Sequence, residues 1–125
     1  MDVIGAKRAM VDYVLAYARD NLLNAGWHDL RTGQAQRDCP ERICGITPDV
    51  SVSNVRTGRR LAFVVWVPDY EVATDDQLSE AVALAGSEGA THLVVVVPVG
   101  YGRAASDRLG RVNGEEPRVW EVPAT

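Results

Sequence analysis

The first part of the chain alternates apolar and charged positions at the spacing of an amphipathic helix. Apolar residues recur at helical spacing between Ile4 and Leu22, and charged residues lie mainly between them. A helix with one buried face has this pattern. Gly26 follows, and glycine tolerates the left-handed conformation in which many helices end. We therefore predict a helix from Ile4 to Asn24.

The middle of the chain predicts strands of two kinds. Residues 48–53 alternate valines with serines, which is typical of a strand with one buried face. Residues 61–67 and 91–98 are apolar almost throughout, which is typical of strands covered on both faces inside a sheet. Shorter strands are expected at residues 27–31 and 118–122, and a hairpin turn at residues 54–60.

The segment between the two apolar strands has the signature of a helix start. Thr74 and Gln77 have the spacing of a capping box, in which each side chain binds a backbone amide of the first turn. Apolar residues then follow on one helical face. A strand, a helix and a strand of these lengths form a crossover with parallel strands. The chain therefore predicts one α/β domain over residues 1–125, with a short helix near residues 103–109.

Composition narrows the class of protein. The chain has 125 residues, of which 46% are hydrophobic and 24% charged, as in an ordinary globular domain. The apolar runs are far shorter than the roughly twenty residues of a membrane helix, and no secretory signal is visible at the N-terminus. We therefore expect a cytoplasmic protein with no membrane partner. The net charge of −4 argues against broad, sequence-independent binding to nucleic acid.

The order of these elements and a few residues resemble a known superfamily. The chain reads helix, three strands, helix, strand, with Pro48-Asp49 before the apolar strand, Gln77 on the second helix and Pro98 at the end of the valine-rich strand. This resembles the PD-(D/E)XK superfamily, the fold of restriction endonucleases and archaeal Holliday-junction resolvases, over roughly residues 5–98. The resemblance implies a three-layer restriction-endonuclease-like core, α-β-β-β-α-β, with a central mixed sheet flanked by helices.

The resemblance also implies a catalytic pattern that this sequence does not complete. In that superfamily the aspartate after proline and an acid on the next strand bind Mg²⁺, and a lysine two residues beyond assists the attacking water. Asp49 matches the first position, but Val65 and Val67 stand where the acid and the lysine belong. Lys7, the only lysine, lies near the start of the first helix. The resemblance therefore implies a catalytically degenerate domain.

Three functions stay open at this point. The preferred one is a domain that acts by binding a protein partner or nucleic acid, with a homodimer expected because edge strands invite pairing. The second is a Mg²⁺-dependent nuclease that uses Asp49 with migrated acids Asp69 and Glu71, to which Asp12 is a further candidate. The third is an interaction subunit of a multi-protein system with no affinity for nucleic acid. Asp49 has a structural interpretation too, as a turn aspartate that binds local amides at a strand start.

Few other residues carry chemistry. Arg56, Arg59 and Arg60 crowd one hairpin and are the candidate contacts to phosphate. Cys39 and Cys44 suit reduced thiols best, although half of a zinc site or a disulfide stays open. Residues 100–103, Gly-Tyr-Gly-Arg before a short helix, suit a plain turn better than an anion-binding loop. We expect no resident metal or cofactor, and Mg²⁺ only with the nuclease.

Overall fold

The computed structural model describes residues 2–32, 47–68, 78, 81–82, 91–110 and 118–124. These residues form an α/β structure around a five-stranded mixed sheet, which confirms the predicted fold class at that level. The restriction-endonuclease-like arrangement of its layers stays a prediction. The elements are α1 (Val3–Tyr17), β1 (His28–Thr32), β2 (Val50–Asn54), β3 (Arg59–Val65), β4 (Thr91–Pro98), α2 (Gly102–Leu109) and β5 (Val119–Val122).

The strands lie in the sheet in their order along the chain, from β1 to β5. β1, β2 and β3 pair antiparallel, whereas β3, β4 and β5 pair parallel. The predicted parallel pairing of the two apolar strands is confirmed, and β3 is the middle strand of the sheet. Leu78, Ala81 and Val82, which lie between these strands in the chain, are helical and buried.

The two faces of the sheet carry separate hydrophobic clusters, because successive side chains of a strand point to opposite faces. Ala62, Val64 and Trp66 pack in one cluster with α2 and with the helical residues Leu78, Ala81 and Val82. Phe63, Val65 and Val67 pack in the other cluster with α1. We call these two sides of the sheet the α2 face and the α1 face. Phe63 and Trp66, which belong to the apolar run 61–67, lie in different clusters and are both buried, as expected of a strand covered on both faces.

The first helix ends earlier than the sequence predicts. After Tyr17 the chain continues as a π turn, Ala18–Leu22, and a 3₁₀ turn, Leu23–Ala25, before Gly26 ends it at φ 92°. The side-chain amides of Asn21 and Asn24 donate to the carbonyls four residues earlier, at 3.2 and 2.9 Å. Side-chain donors of this kind compete with the regular backbone ladder, and their effect is not visible in the apolar spacing.

The prediction of one exposed face for β2 is wrong at Ser51. This serine is 2% exposed and lies opposite Ala62 in the register, on the α2 face. Its neighbours Val50 and Val52 are buried on the α1 face. A serine is small enough to be covered together with Ala62, so the alternation of residue types marks two buried faces here. Among the described residues no helix is long and apolar enough to span a membrane.

Candidate functional site

Asp49 lies immediately before β2 and completes the hydrogen bonding between β2 and β3. Its backbone N–H donates to the carbonyl of Phe63 at 2.8 Å, and its Oδ2 accepts from the backbone N–H of Val65 at 2.7 Å. The half-buried carboxylate therefore acts as the acceptor that a strand carbonyl would otherwise provide. This geometry agrees with the interpretation of Asp49 as an aspartate that binds local amides at a strand start.

The two positions that the resemblance assigns to the second acid and the lysine lie in the core. Val65 is 2% exposed and Val67 is fully buried, and both pack on the α1 face with Met10 and Val14. Methyl groups offer no oxygen to a magnesium ion and no charge to a water molecule. Next to Asp49, the middle strand is therefore apolar.

The other proposed acids do not gather around Asp49 in the described residues. Asp12 is exposed on α1. Asp69 and Glu71 lie outside the described residues, as do Cys39 and Cys44. Within the described ranges, no three His, Cys, Asp or Glu side chains form a group that would hold a metal ion.

The three arginines of the hairpin do not form one surface. Arg56 is exposed in the turn between β2 and β3, whose backbone amides bind Asn54 Oδ1. Arg59 and Arg60 are successive residues of β3, so their side chains leave opposite faces of the sheet. Arg59 points to the α1 face, where its Nη1 lies 3.4 Å from His92 Nε2.

A second group of basic residues becomes visible only in the folded chain. Arg59, His92 and Arg118 lie on or next to three neighbouring parallel strands, each two residues before an apolar residue of the α1 face. Burial lowers the pKa of His92, and the positive charges of Arg118 and Arg59 lower it further. The imidazole is therefore neutral at pH 7. We call these three residues the basic row.

An apolar pocket lies on the α1 face beside the basic row. Its volume is about 340 Å³, and it is lined by Tyr17, Leu22, Leu61, Phe63, Val94 and Trp120. The Trp120 ring packs edge-on against Tyr17, with ring centroids 5.0 Å apart, and lies 6.0 Å from Phe63. We call it the α1-face pocket.

The π turn explains how both Tyr17 and Leu22 reach this pocket. In an α-helix, residues five apart differ by roughly 140° around the axis, and would point to different sides. A π turn forms hydrogen bonds between residues five apart, so that such residues lie nearly above one another. Tyr17, the last residue of α1, and Leu22, the last residue of the π turn, thus both line the pocket.

The loop before α2 binds a carboxylate, but that carboxylate belongs to the chain itself. Glu121 Oε1 accepts hydrogen bonds from the backbone N–H groups of Gly100 and Gly102, at 2.7 and 3.1 Å. A Cβ atom at Gly102 would lie 3.0 Å from Cγ and Cδ of Glu121. The glycine therefore makes room for the acid, and the loop acts as a turn fixed by β5.

Sequence reasoning missed Glu121 and Arg118, because neither belongs to a local motif. Both are placed by the parallel pairing of β4 with β5. Their position on the last strand was visible in the sequence, but the register that brings them to Gly100 and His92 was not.

A comparison of the chain with protein-family models, with curated proteins and with solved structures finds no match.

Proposed function

We propose that this chain acts by binding a protein partner or nucleic acid and does not cleave phosphodiesters. The observation that carries the proposal is the engagement of Asp49: its carboxylate accepts the amide of Val65, and the neighbouring strand positions are buried valines. A carboxylate in this role stabilises the end of a strand pair.

The chemistry of magnesium supports the same conclusion. Mg²⁺ prefers octahedral oxygen coordination and is usually held by more than one charged ligand. Among the described residues, Asp49 belongs to no group of three side chains that could hold a metal ion, and Val65 and Val67 pack their methyl groups in the buried cluster of the α1 face. The strand itself provides no lysine, since Lys7, the single lysine of the chain, lies on α1.

A cleavage assay tests the proposal directly. Purified protein is incubated with single- and double-stranded DNA and RNA in the presence of Mg²⁺ or Mn²⁺, beside Asp49→Asn and the control Asp107→Asn, whose aspartate is exposed on α2. We expect no cleavage above the buffer blank for any of the three proteins. Metal-dependent cleavage that disappears in Asp49→Asn alone would overturn the proposal in favour of a nuclease that recruits Asp69 or Glu71.

Two binding measurements then separate the partners. Affinity for nucleic acid measured at several salt concentrations falls steeply if phosphates are neutralised, and is absent if the partner is a protein. Sedimentation over a range of protein concentrations tests pairing with a second copy through an outer strand, β1 or β5. A monomer with salt-sensitive affinity supports the nucleic-acid reading, and a dimer without that affinity supports a protein partner.

A further inference from the structure

The α1-face pocket has the size and the walls of a site for a small molecule. Its volume of about 340 Å³ falls in the range of roughly 300–1,000 Å³ that is typical of ligand pockets. The aromatic rings of Tyr17, Phe63 and Trp120 provide flat apolar surfaces around it. Tyr17 is 39% exposed, so the pocket meets solvent on the side of α1.

The basic row borders this pocket on the same face of the sheet. Arg59 precedes Leu61 by two residues, His92 precedes Val94, and Arg118 precedes Trp120. Leu61, Val94 and Trp120 all line the pocket, and residues two apart on a strand share a face. The register pairs His92 with Leu61 across β3 and β4, so the three basic side chains follow a diagonal along one edge of the pocket.

The charges of the basic row are not balanced by the described parts of the chain. Neither Arg59 nor Arg118 forms an ion pair with a described residue, whereas Arg31 pairs with Asp29 at 3.2 Å. Arg59 and Arg118 both act on His92 through their positive charge. Two positive charges therefore act on the neutral imidazole, and a bound anion would interact favourably with both. The arrangement therefore favours a ligand with a negative group at one end.

We propose that the α1-face pocket binds a small organic anion, with a flat apolar body between Trp120, Tyr17 and Leu61 and a carboxylate or phosphate group on the basic row. The guanidinium groups of Arg59 and Arg118 donate charge-assisted hydrogen bonds to the anionic group. His92, which is neutral, donates from one ring nitrogen and accepts from Arg59 with the other. The pocket takes Leu61 and Phe63 from β3, whereas the Asp49 carboxylate binds the backbone amide of Val65, so binding at this site does not depend on whether the chain cleaves nucleic acid.

The test uses the full chain and three indole ligands that share one ring system and carry an anionic, a neutral or a cationic end group. Amide and indole resonances of the ¹⁵N-labelled protein are followed while indole-3-acetate, neutral tryptophol or cationic tryptamine is added, with 1-naphthyl phosphate as the phosphate probe. We expect shifts at the Trp120 indole, Leu61 and Val94 with at least one of the two anions. Tryptophol should bind about tenfold more weakly than indole-3-acetate, as the loss of a charge-assisted hydrogen bond implies, and tryptamine more weakly still.

Matched variants locate the anion. Arg59→Gln and Arg118→Gln should each weaken the binding of the anions about five- to tenfold while leaving tryptophol unchanged. Arg56→Gln removes the same charge from the exposed turn of the same hairpin and should change nothing. Val94→Phe should fill the pocket and abolish binding of every ligand, and a dispersed spectrum shows whether this variant is folded.

Three results would overturn the proposal. One is the absence of shifts with both anions at millimolar concentration. Another is equal binding of the acid, the alcohol and the amine, which would mean an apolar patch without charge selection. The third is an equal loss of affinity in Arg56→Gln and Arg59→Gln, which would mean attraction to net charge instead of a site. The arginine variants lie at the surface, so the test stands even if Val94→Phe does not fold.

Discussion

The two ends of the α1 face are built in opposite ways. At the end near Asp49, Val65, Val67 and Val96 are buried beneath α1. At the other end, Leu61 and Val94 line a cavity beneath the π turn. The first end is closed by apolar side chains where the resembled superfamily would carry charged ones. The second end is open, and basic residues border it. The difference indicates that the ligand-binding capacity of this face lies away from the aspartate.

The largest expected effect on stability comes from placing an acidic residue at the closed end of the α1 face, near Asp49. Val65→Asp would put a carboxylate at the position of the missing metal ligand, within the core and without a cation. We expect a loss of about 3 kcal/mol or more in the free energy of unfolding, because a buried charge without a partner is costly. Urea denaturation measures it.

Val94→Asp is the matched control on the same face at the open end. Val94 is only partly buried and lines the pocket, so solvent reaches the new carboxylate and the neighbouring basic row attracts it. We expect a clearly smaller loss than for Val65→Asp. Equal losses would contradict the distinction between a closed and an open end.

The next effect tests whether Asp49 is structural. Asp49→Ala leaves the amide of Val65 without its acceptor, which costs about 1–3 kcal/mol when the amide is buried. Asp49→Asn keeps an oxygen acceptor and should lose less. Thermal and urea unfolding of both variants, with exposed Asp12→Ala as control, would measure this order. If Asp49→Ala unfolds like the wild type, its hydrogen bond does not support the end of β2.

A smaller effect on the free energy of unfolding is expected when side-chain volume is added at either end of the α1 face. Val94 and Val96 lie on the same strand and the same face, but only Val94 lines the pocket. Val96→Leu should cost about 1 kcal/mol or more by overpacking. Val94→Leu should be neutral or stabilise by up to about 0.8 kcal/mol, the value of one buried methylene group. If urea denaturation shows a larger loss of stability for Val94→Leu than for Val96→Leu, the cavity beside Val94 is closed in solution.

Much of this fold could be predicted from the sequence, because the strands have clear patterns of apolar and polar residues. The runs 61–67 and 91–98 are apolar on both faces and have the length of strands covered on both sides. The observed strands β3 and β4 confirm this prediction. The crossover between them then required parallel strands. The π turn escaped prediction, because the apolar spacing continues through it while Asn21 and Asn24 change the hydrogen bonding.

The candidate pocket was beyond prediction for a different reason. Arg59, His92 and Arg118 are 33 and 26 residues apart in sequence, and each alone is typical of an exposed strand end. Only the registers of β3 with β4 and of β4 with β5 bring them to one face. The sequence grouped Arg59 with its neighbours Arg56 and Arg60, whereas the pleat of the sheet separates Arg59 from Arg60. Contacts between distant strands therefore decide the site.

The smallest expected effect is the dependence of stability on pH at the open end. Burial, Arg118 and Arg59 lower the pKa of His92 below its ordinary value of 6.5. Below pH 6.5 the unfolded chain therefore binds a proton at this residue more readily than the folded chain does. Stability from this residue is complete above that pH and is lost as the pH falls through the folded pKa.

His92→Gln isolates this contribution from that of the other titrating groups. The free energy of unfolding of the wild type should fall more between pH 7.5 and pH 5 than that of the variant, when both are measured by urea denaturation. A bound anion would offset the charges of Arg59 and Arg118 and raise the pKa of His92, so the difference should shrink when 1-naphthyl phosphate is present. Identical pH profiles for the two proteins would show that Arg59 and Arg118 do not change the pKa of His92. The three residues of the basic row would then be independent surface residues.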